Sequence, residues 1–384
     1  MNNSEIQGNG GVNTNSGSPA RKLRILHVTA RYYPLMGGIE THVYEVARRM
    51  ARMGHEVTVM TTDPGGKWAA QEMIDGVTVR RARAYPEKKD YYFAPDIYRW
   101  ISRNEGNWDV MHVQGYHTLV PPLAITAARK AGIPFTLTFH SGGNSSALRN
   151  AIRHTQWQML RPFLSKANLL CGVSHFEANQ FRQALNLPLS MFRVIPNGSN
   201  LPKLDVQVSP NQNKIISVGR LEKYKGHQRV IDALPFVQKQ YPDVQLDILG
   251  VGPYERELRE RAQSLGLNNI VEIKSVKPTD RGGMAAALAS AGLITLMSDY
   301  EAHPIAVMEA LSLHRPVLVT HTSGLGELAD RGLVQSVPLS SSPVQVADAI
   351  CEQLRHPYIP KNVDLPTWDG CTNQLVSLYS EISK

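Results

Sequence analysis

Cysteine is scarce: Cys171, Cys351 and Cys371 are the whole set in 384 residues. They are odd in number, widely spaced and without a C-x-x-C pair, which argues against a disulfide framework and a zinc site and makes a reducing, cytoplasmic setting the expectation. No run of about 18 apolar residues occurs, so no segment is expected to span a membrane. Residues 1–18 are mostly Asn, Gly and Ser, lack the apolar stretch of a signal peptide and have almost nothing to bury, so 1–22 reads as a disordered tail. A P-loop is missing. The nearest approach to G-x-G-x-x-G is Gly250 and Gly252, with Glu255 where the third glycine belongs. Zinc-finger spacing, an RNP-like aromatic motif and a basic heptad region are absent too, which sets nucleic acid aside as a partner.

What is present is the composition of a globular protein, 42% hydrophobic and 19% charged, in a chain long enough for two cores. Short Val/Ile/Leu-rich runs alternate with amphipathic stretches, the pattern of parallel strands joined by crossover helices. Runs begin at Leu23, Val57, Val110, Phe135 and Leu169, and a second series begins at Lys214, Gln245, Ile270, Leu293 and Pro316. The polar segment Ser199 to Asn213, with Pro202 and Pro210, separates them. The fold class read from this is α/β, two doubly wound Rossmann-like domains. Ligands of such sheets bind beyond the carboxyl ends of the strands.

Helical spacing of Ile39, Val43, Val46, Ala47 and Met50 predicts a helix ended by Gly54, with Arg48, Arg49 and Arg52 on the far side and Glu45 placed to pair with Arg49. A helix over 226–240 carries Pro235 and is expected to kink there. The +8 net charge is uneven: residues 1–200 hold 23 Lys+Arg against 13 Asp+Glu, and residues 201–384 hold 18 against 20. Solvated surface and an anionic partner, including an anionic membrane, both fit the basic half. The stretch 145–166, with Arg149, Arg153, Arg161, Ile152, Trp157, Met159, Leu160 and Phe163, fits either an amphipathic surface segment or a helix packed on its own domain.

Five loops carry candidate chemistry. Gly37 and Gly38 precede the first helix, and free amides there suit a phosphate or a sugar oxygen as well as a tight turn. His140 ends an apolar strand, where it is able to donate to a sugar hydroxyl or to developing negative charge. In Val218-Gly219-Arg220-Leu221-Glu222-Lys223-Tyr224-Lys225-Gly226, the cations Arg220 and Lys225 sit five positions apart after a strand and suit the two phosphates of a leaving nucleoside diphosphate. No D-x-D pair occurs, so no metal is expected and these cations stand in its place. In Glu301-Ala302-His303-Pro304-Ile305-Ala306-Val307-Met308-Glu309, a strand end leads into a helix whose amides near Ile305 and Ala306 face an anionic group, with Glu301 at the cleft mouth and Glu309 about two turns in. Neither glutamate is expected in the apolar core. The loop around Val276 is the candidate for base recognition.

On Gly37-Gly38-Ile39-Glu40-Thr41-His42, Thr138-Phe139-His140, Val194-Ile195-Pro196-Asn197-Gly198, Val218-Gly219-Arg220 with Lys225-Gly226, and the two glutamates, the chain resembles the retaining nucleotide-sugar glycosyltransferases of GT-B fold, the group 1, phosphatidylinositol mannosyltransferase-like enzymes. The resemblance spans nearly all of 23–384. It implies an acceptor-side domain over 23–200, a nucleotide-sugar donor domain over 201–364, and a final helix in 365–384, introduced by Trp368, that crosses back onto the first. It also implies that Glu301 meets sugar hydroxyls, Glu309 the ribose, Arg220 and Lys225 the diphosphate, Gly38 the phosphate or sugar, and that His140 lies by the reacting sugar. The implied substrates are a nucleoside-diphosphate sugar, UDP favoured over GDP, and a glycan, lipid-linked or small-molecule acceptor, with no further cofactor. Pro304, His314 and Thr322-Ser323-Gly324 depart from the commoner glycines of the pattern. A sugar-nucleotide epimerase, a phosphorylase and a non-catalytic nucleotide-sugar or glycan-binding protein of the same fold are the rival readings.

Overall fold

The computed structural model describes residues 21–383 apart from 36, 88–91, 104–105, 143–146, 200, 202–207, 278–279 and 362, and the backbone alone of 147–153. Most of the tail 1–22, Pro202 and Gly143 lie outside the described residues, as do the side chains of Arg149, Ile152 and Arg153.

Residues 23–194 build one sheet from β1 (Arg24–Thr29), β2 (Glu56–Thr62), β3 (Gln71–Ile74), β4 (Val77–Ala82), β5 (Val110–Gln114), β6 (Phe135–Thr138), β7 (Leu169–Gly172) and β8 (Phe192–Val194). Their order is β3-β4-β2-β1-β5-β6-β7-β8, parallel except for the β3–β4 hairpin. A second, wholly parallel sheet contains β9 (Asn211–Val218), β10 (Gln245–Leu249), β11 (Val271–Lys274), β12 (Ala291–Leu296), β13 (Val317–His321) and β14 (Gln335–Pro338), ordered β11-β10-β9-β12-β13-β14. These are the two doubly wound domains of the α/β class. Helices cover both faces of each sheet, so alternate strand residues enter different cores: Leu26 and Val28 of β1 join one cluster, Ile25 the other. Strand order reverses between β1 and β5 and between β9 and β12. At such switch points the flanking loops diverge and open a crevice.

The last helix, Trp368–Ile382, belongs to the first core. Its Trp368, Cys371, Leu375, Leu378 and Tyr379 are buried beside Ile25, Val43, Val46 and Met50. Each such large side chain contributes about 1.5–3 kcal/mol. Close approach makes the seat possible, because a Cβ on Gly198 would stand 2.2 Å from the Trp368 nitrogen.

The helix Gly38–Arg52 forms and Glu45 pairs with Arg49, but the far side is not simply solvated. Arg49 is 13% exposed and clamps Asp369 of the last helix at 2.7 Å, while Arg48 also holds Glu45. The helix His227–Val237 stops two residues after Pro235 and does not run to 240. In the helix Ala147–Leu164, Trp157, Leu160 and Leu164 are buried in the domain's own core and Arg161 donates to the Leu185 carbonyl at 2.7 Å. These residues pack on their own domain, Phe163 lies partly buried beside them, and Met159 is 71% exposed. Among the described residues no helix is long and apolar enough to cross a membrane.

Candidate active site

The site gathers at the switch point of the second sheet. From β9 the chain enters the loop 219–226, and from the adjacent β12 it enters 297–304, so residues far apart in sequence become neighbours. Lys225 Nζ lies 2.5 Å from Glu301 Oε1, with the two side chains 16% and 13% exposed. Ser298 Oγ donates to the same oxygen at 2.8 Å, and the Glu301 amide donates to Ser323 Oγ at 2.9 Å. Burial works against the Lys225 ammonium, but the Glu301 carboxylate outweighs it and raises the lysine pKa. Gly226 permits this approach of the loops. It has φ 74°, and a Cβ there would stand 1.8 Å from the Met297 carbonyl oxygen. Gly226→Ala is therefore expected to combine backbone strain with a collision, lowering stability by about 2–4 kcal/mol and displacing Lys225. A denaturation midpoint equal to wild type would refute it.

Arg220 behaves differently from Lys225. Its side chain is 62% exposed and held only loosely by Glu222 at 3.3 Å, so it stands at the cleft rim free to turn toward a ligand. Gly219 packs on Lys225, an added Cβ lying 3.6 Å from Lys225 Cδ.

Across the cleft, Gly142 forms an isolated antiparallel bridge with Glu301, which brings the loop after β6 onto the second domain's loop 297–304. His140, two residues earlier, is buried and held at φ 48°. Its Nε2 lies 2.8 Å from Gln114 Oε1, and Gln114 Nε2 lies 3.2 Å from His27 Nδ1. With Gln114 Oε1 as the acceptor, the His140 proton sits on Nε2 and Nδ1 is left as an acceptor. Burial first, then His42 and His117, hold the His140 pKa well below its ordinary value, so the ring is neutral. A second buried line runs from the last helix to β6: His112 Nδ1 meets Tyr379 Oη at 2.5 Å and its Nε2 meets Thr138 Oγ1 at 2.7 Å. His42 packs edge-on to His140 at 4.6 Å and meets Asn197 Oδ1 at 2.8 Å.

The remaining candidates spread around this junction. Gly38 is exposed and a Cβ there would meet nothing within 4 Å, whereas one on Gly37 would stand 2.6 Å from Glu40 Oε2. Ile305 and Ala306 open the helix Ile305–Ser312, and Ile305 packs across the cleft on the first-domain cluster that holds Trp368. Glu309 is the fifth residue of that helix, little more than one turn in, and is buried at 4% exposure. It is thus inside the core, contrary to the expectation, because Arg281 reaches in to pair with it. Burial raises its pKa and Arg281 opposes the shift. Val276 is half-buried on the loop after β11, which leads to the helix Arg281–Ala289. Lys225, Glu301 and the His140 loop are therefore brought together, while Glu309 pairs separately with Arg281.

Sequence reading missed Glu177, fully buried, which accepts from the Ser141 amide and hydroxyl at 2.5 Å and from the Val173 amide at 2.7 Å. A signal existed: Glu177 is the one acid between Asp109 and Asp205, placed three residues after Ser174, whose hydroxyl caps its helix. Arg281, Ser298, Ser323 and Tyr300 were missed as well. Among the described residues no three His, Cys, Asp or Glu side chains group as metal ligands.

Two doubly wound domains that meet through loops at the carboxyl ends of their strands constitute the GT-B architecture of glycosyltransferases. Residues 36–202 match the family described as Glycosyltransferase Family 4 and residues 204–362 the family described as Glycosyl transferases group 1, and the chain belongs to this group of glycosyltransferases. It is 25% identical over 385 residues to a phosphatidyl-myo-inositol mannosyltransferase of Mycobacterium leprae, covering 94% of this chain and 97% of the relative. It is 26% identical to a glycogen synthase of Mycobacterium tuberculosis over 359 residues, covering 85% and 84%. In fold it is similar to sucrose-phosphate synthase from Thermosynechococcus elongatus, with a TM-score of 0.74, 18% identity and coverage of 94% and 99%. Anabaena HepE in complex with UDP and glucose gives a TM-score of 0.68, 18% identity and coverage of 94% and 97%.

Proposed function

We propose that this glycosyltransferase moves a hexose from a nucleoside-diphosphate sugar to a glycan, lipid-linked or small-molecule acceptor, with retention of configuration and without a metal. The observation that carries the reading is the Lys225–Glu301 pair at the junction of the domains, with Arg220 at its rim. When the bond from the anomeric carbon to the diphosphate breaks, negative charge grows on the leaving oxygen. Two cations stabilise it, Lys225 held in place by Glu301 and Arg220 turning in from the rim, while Glu301 offers its second oxygen toward sugar hydroxyls. The acceptor oxygen bonds to the anomeric carbon on the face the diphosphate leaves, and its proton passes to the leaving phosphate oxygen. A neutral His140 suits this route, since it positions a hydroxyl without having to change charge. Gly38, Gly37, Gly219 and the amides of Ile305 and Ala306 line the diphosphate end; Glu309 and the Val276 loop serve the nucleoside.

A UDP-sugar is favoured, in line with the UDP complex of the structurally similar HepE. The named relatives point to glycan or lipid-linked acceptors, and peripheral contact with an anionic membrane at its inner face belongs to the lipid-linked version. A thermal-shift panel of UDP, GDP, ADP and their sugars identifies the donor, since a ligand at 100 times its Kd adds about 2.7 kcal/mol. Turnover of that donor is expected to persist in EDTA. Complete loss of turnover restored by manganese would remove the metal-free mechanism, and binding with neither transfer nor hydrolysis would favour a non-catalytic sugar-binding role.

A further inference from the structure

We propose that Tyr300 is a positioning residue, a clasp whose hydroxyl sets how the two domains meet at the transfer site. This rests on the reading that Glu301 and His140 flank the reacting sugar. Tyr300 belongs to the second domain and immediately precedes Glu301. Its hydroxyl lies 2.7 Å from Gln180 Oε1 and 2.7 Å from Ser141 Oγ, both in the first domain, and because the Ser141 proton goes to Glu177 both oxygens act as acceptors for the single Tyr300 proton. Its ring meets Phe176 edge-on at 5.7 Å.

The first-domain side of the clasp is anchored in turn. Glu177, fully buried, holds the Ser141 amide and hydroxyl together with the Val173 amide, tying the loop after β6 to the loop after β7. One residue further along each partner comes the Gly142–Glu301 bridge. Contacts 141–300 and 142–301 thus fix the spacing between the His140 loop and the carboxylate that holds Lys225. Catalysis by positioning is sensitive to such spacing, because a misplacement of about 1 Å costs on the order of 100-fold in rate. The clasp need not bind the donor to matter: it decides whether the groups on the two domains act on the same atom.

Tyr300→Phe in the full chain keeps the ring and removes only the hydroxyl. With whichever of UDP-glucose, UDP-N-acetylglucosamine and GDP-mannose the wild type turns over, kcat is expected to fall about tenfold, with the donor KM within about twofold and an unchanged Tm. Gln180→Ala is expected to add little to Tyr300→Phe, since the two share one contact. Small-angle scattering in the presence of UDP is expected to show a larger radius of gyration for the variant, a readout independent of turnover. Glu301→Gln run in parallel separates the two ideas. Wild-type turnover in Glu301→Gln alongside an enlarged Tyr300→Phe would reject the site reading and keep the clasp. Loss of turnover in Glu301→Gln alongside wild-type kcat and radius in Tyr300→Phe would reject the clasp, as would additive losses in the double variant or a fall in kcat that merely follows a fall in Tm.

Discussion

Replacing Lys225 by Ala is expected to lower kcat/KM by at least about 100-fold and to cost stability as well, whereas Arg220→Ala is expected to lose activity alone. Removing one preorganised charge contact at a developing anion costs about 2.7–4 kcal/mol of transition-state stabilisation. For Lys225 a second loss is added. Glu301 is 13% exposed, and without its partner it is a mostly buried carboxylate satisfied chiefly by Ser298. Breaking such a pair costs about 3 kcal/mol. Arg220, 62% exposed, leaves no buried charge behind when it is removed, and its link to Glu222 contributes little to folding. Urea midpoints and donor turnover measured on both variants test the contrast. Equal midpoints for the two would refute the cost assigned to the unpaired Glu301, and near-normal turnover in both would show that the diphosphate lies elsewhere.

Acid is expected to unfold the protein early, starting below pH 6.5. Burial is the first cause that pushes His27 down to about 3 and His42, His227 and His303 down to about 4. Above pH 6.5 these rings are neutral whether folded or unfolded, so they do not alter stability with pH. Between 6.5 and about 4 the unfolded chain binds protons that the folded chain refuses, and stability falls with each step down. At pH 5 each ring has cost about 2 kcal/mol relative to pH 8, about 8 kcal/mol for the four as an upper figure. Glu177 and Glu309 offset part of this, because burial raises their pKa values and they take up protons in the folded state first. Set against a total stability of about 5–15 kcal/mol, the histidines dominate. Denaturation midpoints at pH 8, 6.5 and 5 provide the check, and a flat profile would mean that these rings find water or partners when protonated.

Much of the architecture was legible in the order of residues. Each apolar run from Leu23 to Pro316 lies in or within a few residues of a strand, because parallel strands covered on both faces must be apolar almost throughout. Less legible were β3 and β4, a hairpin whose first strand is largely exposed, and β8 and β14, which are short and sit at sheet edges. Edge strands bury one side at most, so their composition resembles that of loops. The buried histidines of β1 and β5 were likewise opaque: His27 and His112 sit in strand-like runs, and what keeps them there is Tyr379 and Gln114, remote in sequence.

Local sequence determined where the chemistry-bearing loops begin, since each follows an apolar run and carries glycine, cation or carboxylate in a short span. It also determined the family, through motifs that are contiguous. Partnership was decided only by the tertiary fold. Lys225 and Glu301 pair because β9 and β12 are neighbours at the switch point, Glu309 is buried because Arg281 comes from another helix, and Tyr300 meets Ser141 because two domains close on each other. A residue's neighbours along the chain set its conformation, but the charge it carries and the atom it can reach depend on neighbours through space.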